Sequence, residues 1–154
     1  MNTTTQTQKF DGRKSPMFAF LQKQGVDFTA TEHLAYVLKS EGWMPLTVET
    51  WMESGFLNVS VCHYGEQNGD LMADPEMVFL LAYGQEVPVY FKNDYVGTEQ
   101  VFSKVEDGKL FLKKRGVADL KSFSKTWASN LKAQGHSMKT PVGAAVEQFI
   151  EGFN

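Results

Sequence analysis

The alternation of apolar and polar positions divides the chain into a helical beginning, a strand-rich middle and a helical end. Ser15 followed by Pro16 makes a good helix start. Its hydroxyl can accept from an early backbone amide, and proline sits where no amide is needed. Met17, Phe20 and Leu21 supply a short apolar face, and Gly25 is placed to close it. A second start follows at Thr29, whose spacing from Glu32 allows a reciprocal cap. Leu34, Val37 and Leu38 at helical spacing, with Gly42 beyond them, predict a second helix ending there.

The period then shortens to that of a strand. Leu46, Val48, Thr50 and Met52 share one face, and Thr47, Glu49 and Trp51 share the other. From Phe56 to Tyr64, Leu57, Val59, Val61 and His63 alternate with Phe56, Asn58, Ser60, Cys62 and Tyr64. Such alternation predicts half-buried antiparallel strands, here joined at Ser54-Gly55. Met77–Tyr83 and Val87–Lys92 predict two more strands around a turn at Gly84-Gln85-Glu86. Pro88 predicts that its strand is an edge or begins there. Asn93-Asp94-Tyr95 with Gly97 reads as a turn or bulge, and residues 97–105 as a fifth strand. Asp107-Gly108 is a strong hairpin signal, followed by a short strand at Leu110–Leu112.

Helical spacing returns at Asp119, which can cap a helix carrying Leu120, Phe123, Trp127 and Leu131 on one stripe and Gly135 after it. Pro141 opens a last helix over residues 141–153, with Val142, Ala145, Val146, Phe149 and Ile150 on its apolar side. Strands in a block rather than alternating with helices define an α+β fold. The expectation is an antiparallel sheet of about five or six strands flanked by N-terminal and C-terminal helices. Residues 1–14 have only Phe10 as a sizeable apolar group and are expected to be a mobile tail, leaving 15–154 as a single domain.

Composition narrows the class. The 154 residues are 42% hydrophobic and 13% aromatic, richer in aromatics than a disordered chain. The net charge of −3 and a single dense basic run, Lys113-Lys114-Arg115, argue against sequence-independent nucleic-acid binding, which needs cations to neutralise phosphates. One cysteine, Cys62, cannot form an intramolecular disulfide, and Met1 to Lys9 lack the apolar core of a secretory signal. No apolar run approaches the ~20 residues that span a bilayer. A cytoplasmic location is expected, with no membrane association.

Candidate chemistry concentrates between His63 and Glu76, a segment expected to be an acidic loop joining two strands. This segment holds Glu66, Asp70, Asp74 and Glu76 with one imidazole and no Lys or Arg. Asn68-Gly69-Asp70 reads as a tight turn with Gly69 supplying positive φ, and Asp74-Pro75 as an extended entry into the next strand. The carboxylates could hold a hard cation, supply a general base or meet a basic surface on a protein. Turn chemistry explains much of the same composition, however, and the spacing fits neither an EF-hand loop nor a His-Glu-x-x-His helix. No metal or cofactor is therefore expected. Cys62 and His63 are strand neighbours pointing to opposite faces, so they cannot form a thiolate–imidazole pair. His33 and His136 have no evident partners, and neither phosphate-binding glycine motifs nor a nucleophile elbow is present.

Three runs carry a resemblance: Gly69-Asp-Leu-Met-Ala-Asp-Pro-Glu-Met-Val-Phe79, Phe91-Lys-Asn-Asp-Tyr-Val-Gly97, and the stretch from Phe123 to Gly135 with Trp127, Asn130 and Leu131. From about Gly42 to Gly135 the chain resembles a family of small uncharacterised domains encoded on bacterial plasmids, conjugative elements and phage-related islands. The resemblance implies a habitat and no catalytic residues. It points to Gly69, Asp70, Asp74, Pro75, Glu76, Asn93, Asp94 and Gly97 as positions to examine. Gly65 stands where the family favours an aromatic.

The sequence thus predicts a non-catalytic accessory protein of a bacterial mobile element that binds another protein. The expected surface is His63, Glu66, Asp70, Asp74, Glu76, Asn93 and Asp94, with Gly69, Pro75 and Gly97 shaping turns. The rival expectation is a metal-dependent hydrolase or nuclease using His63, Glu66, Asp70 and Asp74.

Overall fold

A computed structural model describes residues 2–4, 15–138 and 144–145. Helix α1 (Pro16–Lys23) begins as predicted, with the Ser15 hydroxyl accepting from the Phe18 amide at 3.3 Å. It buries Met17, Phe18, Phe20 and Leu21. Beyond it the predicted second helix is replaced by strand β2 (Leu34–Leu38). The Thr29 amide and hydroxyl both donate to Asp27 Oδ1, at 2.8 and 2.6 Å, so Thr29 stabilises a turn and caps no helix. A short isolated helix is marginal. Pairing all five residues of β2 with a neighbouring strand while burying Ala35, Tyr36 and Leu38 outweighs it.

Strands β3 (Leu46–Glu53), β4 (Phe56–Gln67), β5 (Asp70–Ala82), β6 (Gln85–Asn93) and β7 (Thr98–Val101) follow β2 in a meander, each antiparallel to the next. Strand β10 (Ala144–Ala145) pairs with Leu34 and Ala35 on the outer side of β2, making seven strands in all. The fold is therefore α+β, as predicted. The C-terminal helix predicted from Pro141 gives way to strand at 144–145, and its remaining residues lie outside the described ones.

Strand β6 is interior, contrary to the expectation from Pro88. The ladder with β5 shifts between Val78↔Tyr90 and Phe79↔Pro88, so the proline sits at a β-bulge, where a missing amide is tolerated. The predicted strand over 97–105 is two. Phe102 breaks it, donating its amide to Val89 O at 2.7 Å and accepting from the Lys113 amide at 2.8 Å. The chain thereby leaves the main sheet for a smaller one, β1–β9–β8, built from β1 (Asn2–Thr4), β8 (Ser103–Glu106) and β9 (Lys109–Leu112). β1 lies in the segment expected as a tail, and residues 5–14 lie outside the described ones. Asp107 and Gly108 both take positive φ, as their hairpin requires.

Helix α2 (Lys114–Gln134) starts five residues before the predicted cap at Asp119, which lies exposed on it. The basic run 113–115 is consequently its first turn. The cause is packing, because Gly116 and Val117 are buried one turn ahead of Leu120. The buried stripe continues through Ser124, Trp127, Ala128 and Leu131, while Phe123 stays 39% exposed at its margin against Phe91. Gly135 ends the helix at φ +79°.

Both helices cover one face of the sheet. There Phe18, Leu21, Leu131 and Trp127 meet Leu38, Leu46, Val48, Val59, Val61, Met77 and Phe79 in the main core. Full burial of each Leu, Val, Met or Phe contributes about 1.5–3 kcal/mol relative to exposure. A second cluster of Leu80, Ala82, Val87, Val89, Leu110 and Val117 packs the small sheet and the start of α2 against one end of β5 and β6.

Candidate functional site

The acidic segment is not a loop. Strands β4 and β5 run through it and turn only at Asn68-Gly69, both with positive φ (+53° and +85°), as a two-residue hairpin requires. Asp74-Pro75, a cis peptide, lies within β5, where the ladder shifts opposite Cys62–Tyr64. The polar composition marks a hairpin that projects past the covering helices and needs no apolar face there.

This geometry separates the candidate residues into groups. Glu66 and Asp70 are exposed at the hairpin tip, opposite Leu71 and Gln67 respectively. Among the described residues neither forms an ion pair. Leu71 beside them is 53% exposed.

Asp74, Asn93 and Asp94 form a clip. The Ala73 amide donates to Asp94 Oδ2 at 2.8 Å, and the Asp94 amide donates to the Ala73 carbonyl at 2.9 Å. Asn93 Nδ2 donates to Asp74 Oδ1 at 3.0 Å, and Asn93 Oδ1 accepts from the Tyr95 amide at 3.0 Å. These bonds hold the β6–β7 turn, with Gly97 at φ +69°, against β5. Asp94 thus lies beside the acidic segment, but its carboxylate is engaged within the fold. The clip lays the Tyr95 side chain over Gly65, occupying the space where a Cβ would stand.

His63 points toward α2, with Asp74 still near enough for its charge to favour the imidazolium. Its Nδ1 lies 2.9 Å from the Pro45 carbonyl, and its ring is 5.5 Å from Trp127 and 5.7 Å from His136. Burial lowers its pKa, with the Pro45 carbonyl opposing and His136 adding to the effect. His136 Nε2 lies 2.9 Å from Met44 O, so the two rings tie the entry to β3 beneath the end of α2. His33, predicted on a helix, instead precedes β2 and pairs with Glu49 at 3.0 Å.

Glu76 lies on the face of the sheet opposite the helices, which sequence reasoning did not single out. The registers place polar rows straight across it: Thr47, Cys62, Glu76, Lys92 and Glu99 in one, and Glu49, Ser60, Val78, Tyr90 and Val101 in the next. Ser60 Oγ donates to Glu76 Oε2 at 2.7 Å, and Tyr90 OH donates to Glu99 Oε2 at 2.5 Å. Burial raises the Glu76 pKa, opposed by Ser60 and Lys92. The Cys62 thiol is raised far more, by burial first and then by Glu76 across the ladder. A shallow cavity of about 420 Å³ opens on this face, between Trp51 and Glu76 and beneath β8. The signal in the sequence was the polar half of the strand alternation. Its meaning depends on register across five strands, which no local pattern contains.

His63, Glu66, Asp70 and Asp74 thus occupy different surroundings. Among the described residues no three or more His, Cys, Asp or Glu side chains are grouped to hold a metal ion. No helix of the described residues is long and apolar enough to cross a membrane.

Fold and site together define an α+β domain with a projecting acidic hairpin and a polar, helix-free sheet face. The chain belongs to the family described as Domain of unknown function (DUF6908), whose model matches residues 17–137. No curated protein and no solved structure matches the chain significantly.

Proposed function

We propose that this chain is a non-catalytic accessory protein that binds a basic surface of a protein partner through the tip of the β4–β5 hairpin. One observation carries the reading: Glu66 and Asp70 are exposed and unpaired among the described residues beside the exposed Leu71, whereas Asp74, Glu76 and Asp94 are engaged within the fold. An apolar side chain ringed by uncompensated carboxylates suits a cationic partner surface, with charge setting the encounter and leucine burial adding affinity. The setting in a bacterial mobile element rests on the resemblance of the motif runs, and a cytoplasmic location on the lone cysteine and the polar stretch from Met1 to Lys9. The rival reading, a metal-dependent hydrolase, needs His63, Glu66, Asp70 and Asp74 around one ion, and gains no support from a grouped ligand set among the described residues.

The test is affinity capture from the native host with wild type and the Glu66→Lys/Asp70→Lys variant. The wild type should retain a basic protein that the variant loses, with both proteins melting at the same temperature. Equal capture by the two would remove the tip from the reading. Charge reversal at Asp74 or Glu76 would be uninformative, because those side chains support the fold.

A further inference from the structure

The cavity on the helix-free face has an uneven lining. Val78 and Leu80 on β5 line it together with Trp51 and Tyr90, and polar Asn58 stands opposite Leu80. Glu76 closes one end, two residues and therefore roughly 6.6 Å along the strand from Val78. Other carboxylates on this side are occupied: Glu49 by His33, Glu53 by the Trp51 indole and Glu99 by Tyr90. The two lysines are occupied as well. Lys92 stands opposite Glu76 and its charge favours the ionised carboxylate, but its Nζ lies 3.4 Å from Asp94, while Lys104, in the cavity wall, lies 3.3 Å from Glu106 and over the Phe111 ring. Glu76 differs, because it is half-buried and only its Oε2 accepts a hydrogen bond among the described residues.

We propose that this cavity receives a lysine or arginine side chain of the protein partner, with the charged head on Glu76 Oε1 and the aliphatic stem over Val78. The shape of the lining selects this chemistry. A long side chain with a cationic tip needs an apolar bed ending in an anion, and long cationic side chains bury their stems in this way. Tyr90 lies diagonal to Glu76 across β5 and β6 and lines the same cavity. The raised Glu76 pKa agrees, since a bound cation restores the ionised carboxylate and binding should strengthen as pH rises through that pKa. The inference rests on the partner's being basic, but it concerns a site separate from the hairpin tip.

The test is an NMR titration of the full chain, isotopically labelled, with capped lysine, capped arginine, capped norleucine and spermidine. Capped lysine and arginine should shift the Trp51 indole and the Glu76–Leu80 amides saturably, and norleucine should not. Glu76→Gln keeps an acceptor for Ser60 and so should fold, yet weaken both cations about tenfold or more. The tip variant should titrate like wild type, which separates failure at the tip from failure in the cavity. The proposal is overturned by the absence of saturable shifts, by an equal response to norleucine, or by binding that survives Glu76→Gln. A response to spermidine alone also overturns it, because the site would then serve a free polyamine.

Discussion

Gly116 lies so close under the ring of Phe102 that no Cβ fits between them. Phe102 is fixed from both sides, bonded through its amide to β6 and through its carbonyl to the start of α2, so its ring has little freedom to retreat. In an unconstrained helix, replacing glycine by alanine gains about 1 kcal/mol. Here overpacking costs about 1–3 kcal/mol, and the contact is severe enough for that cost to win. Gly116→Ala should therefore lower the unfolding free energy in a urea titration, and Phe102→Ala combined with it should recover part of the loss. A Gly116→Ala protein more stable than wild type would show that the contact does not constrain α2.

The clip between Ala73 and Asp94 gives a second prediction. Ala73 is buried, so removing the Asp94 carboxylate leaves its amide without a side-chain acceptor away from water. Such a group costs about 1–3 kcal/mol. Asp94→Ala should destabilise the fold by that amount and speed amide exchange in the β6–β7 turn. Asp94→Asn, which retains an acceptor, should cost less. Equal losses in the two variants would assign the effect to the Lys92 ion pair, whose solvated geometry at 3.4 Å is worth little.

These contacts show what the sequence could reveal. Local signals worked where the outcome was local: Ser15-Pro16 started α1, Asn68-Gly69 and Asp107-Gly108 turned hairpins, and Gly135 ended α2. They failed where tertiary context decided. Thr29 and Glu32 have capping-box spacing, and Leu34, Val37 and Leu38 fit a helix, yet a free neighbour for β3 was worth more than a marginal helix. The run from His63 to Glu76 reads as a loop because its residues are polar. Its residues are strand residues at a point where the sheet outruns the helices. Of the candidate site, sequence found the acids but could not sort them. Whether a carboxylate faces solvent, a backbone amide or a serine depends on Cys62 opposing Glu76 and Glu76 opposing Lys92, which are facts of register.

Cys62 allows a simple check of the helix-free face. The thiol is buried, lies in the ladder beside Glu76, and its pKa is raised well above the usual range, first by burial and then by that carboxylate. Thiolate is the reacting species, so the native protein should react with a disulfide reagent far more slowly than the same protein in denaturant. Since Cys62 is the only cysteine, one number reports on it alone. Native reactivity equal to that of the unfolded chain would mean that the face is open to water. Glu76→Gln should modestly accelerate the native reaction by removing the charge opposite the sulfur.

Stability against pH should be governed by two groups of opposite sign. His63 has a folded pKa below its unfolded value near 6.5, because burial disfavours the imidazolium. The unfolded chain then binds the proton first, so this contribution is complete above about pH 6.5 and is lost as pH falls toward the folded pKa. Burial raises the folded pKa of Glu76 above the ordinary glutamate value near 4.5. The folded chain holds that proton longer, so its contribution is complete below about 4.5 and is lost as pH rises through the folded pKa. Between those limits the two slopes oppose each other, and the wild-type melting temperature should change less than in either single variant. His63→Gln should leave the Glu76 slope exposed, with stability rising as pH falls through this window. Glu76→Gln should leave the His63 slope, with stability falling over the same range. Melting curves of the three proteins at closely spaced pH would decide it, and identical profiles would show that neither group titrates differently in the folded and unfolded chains.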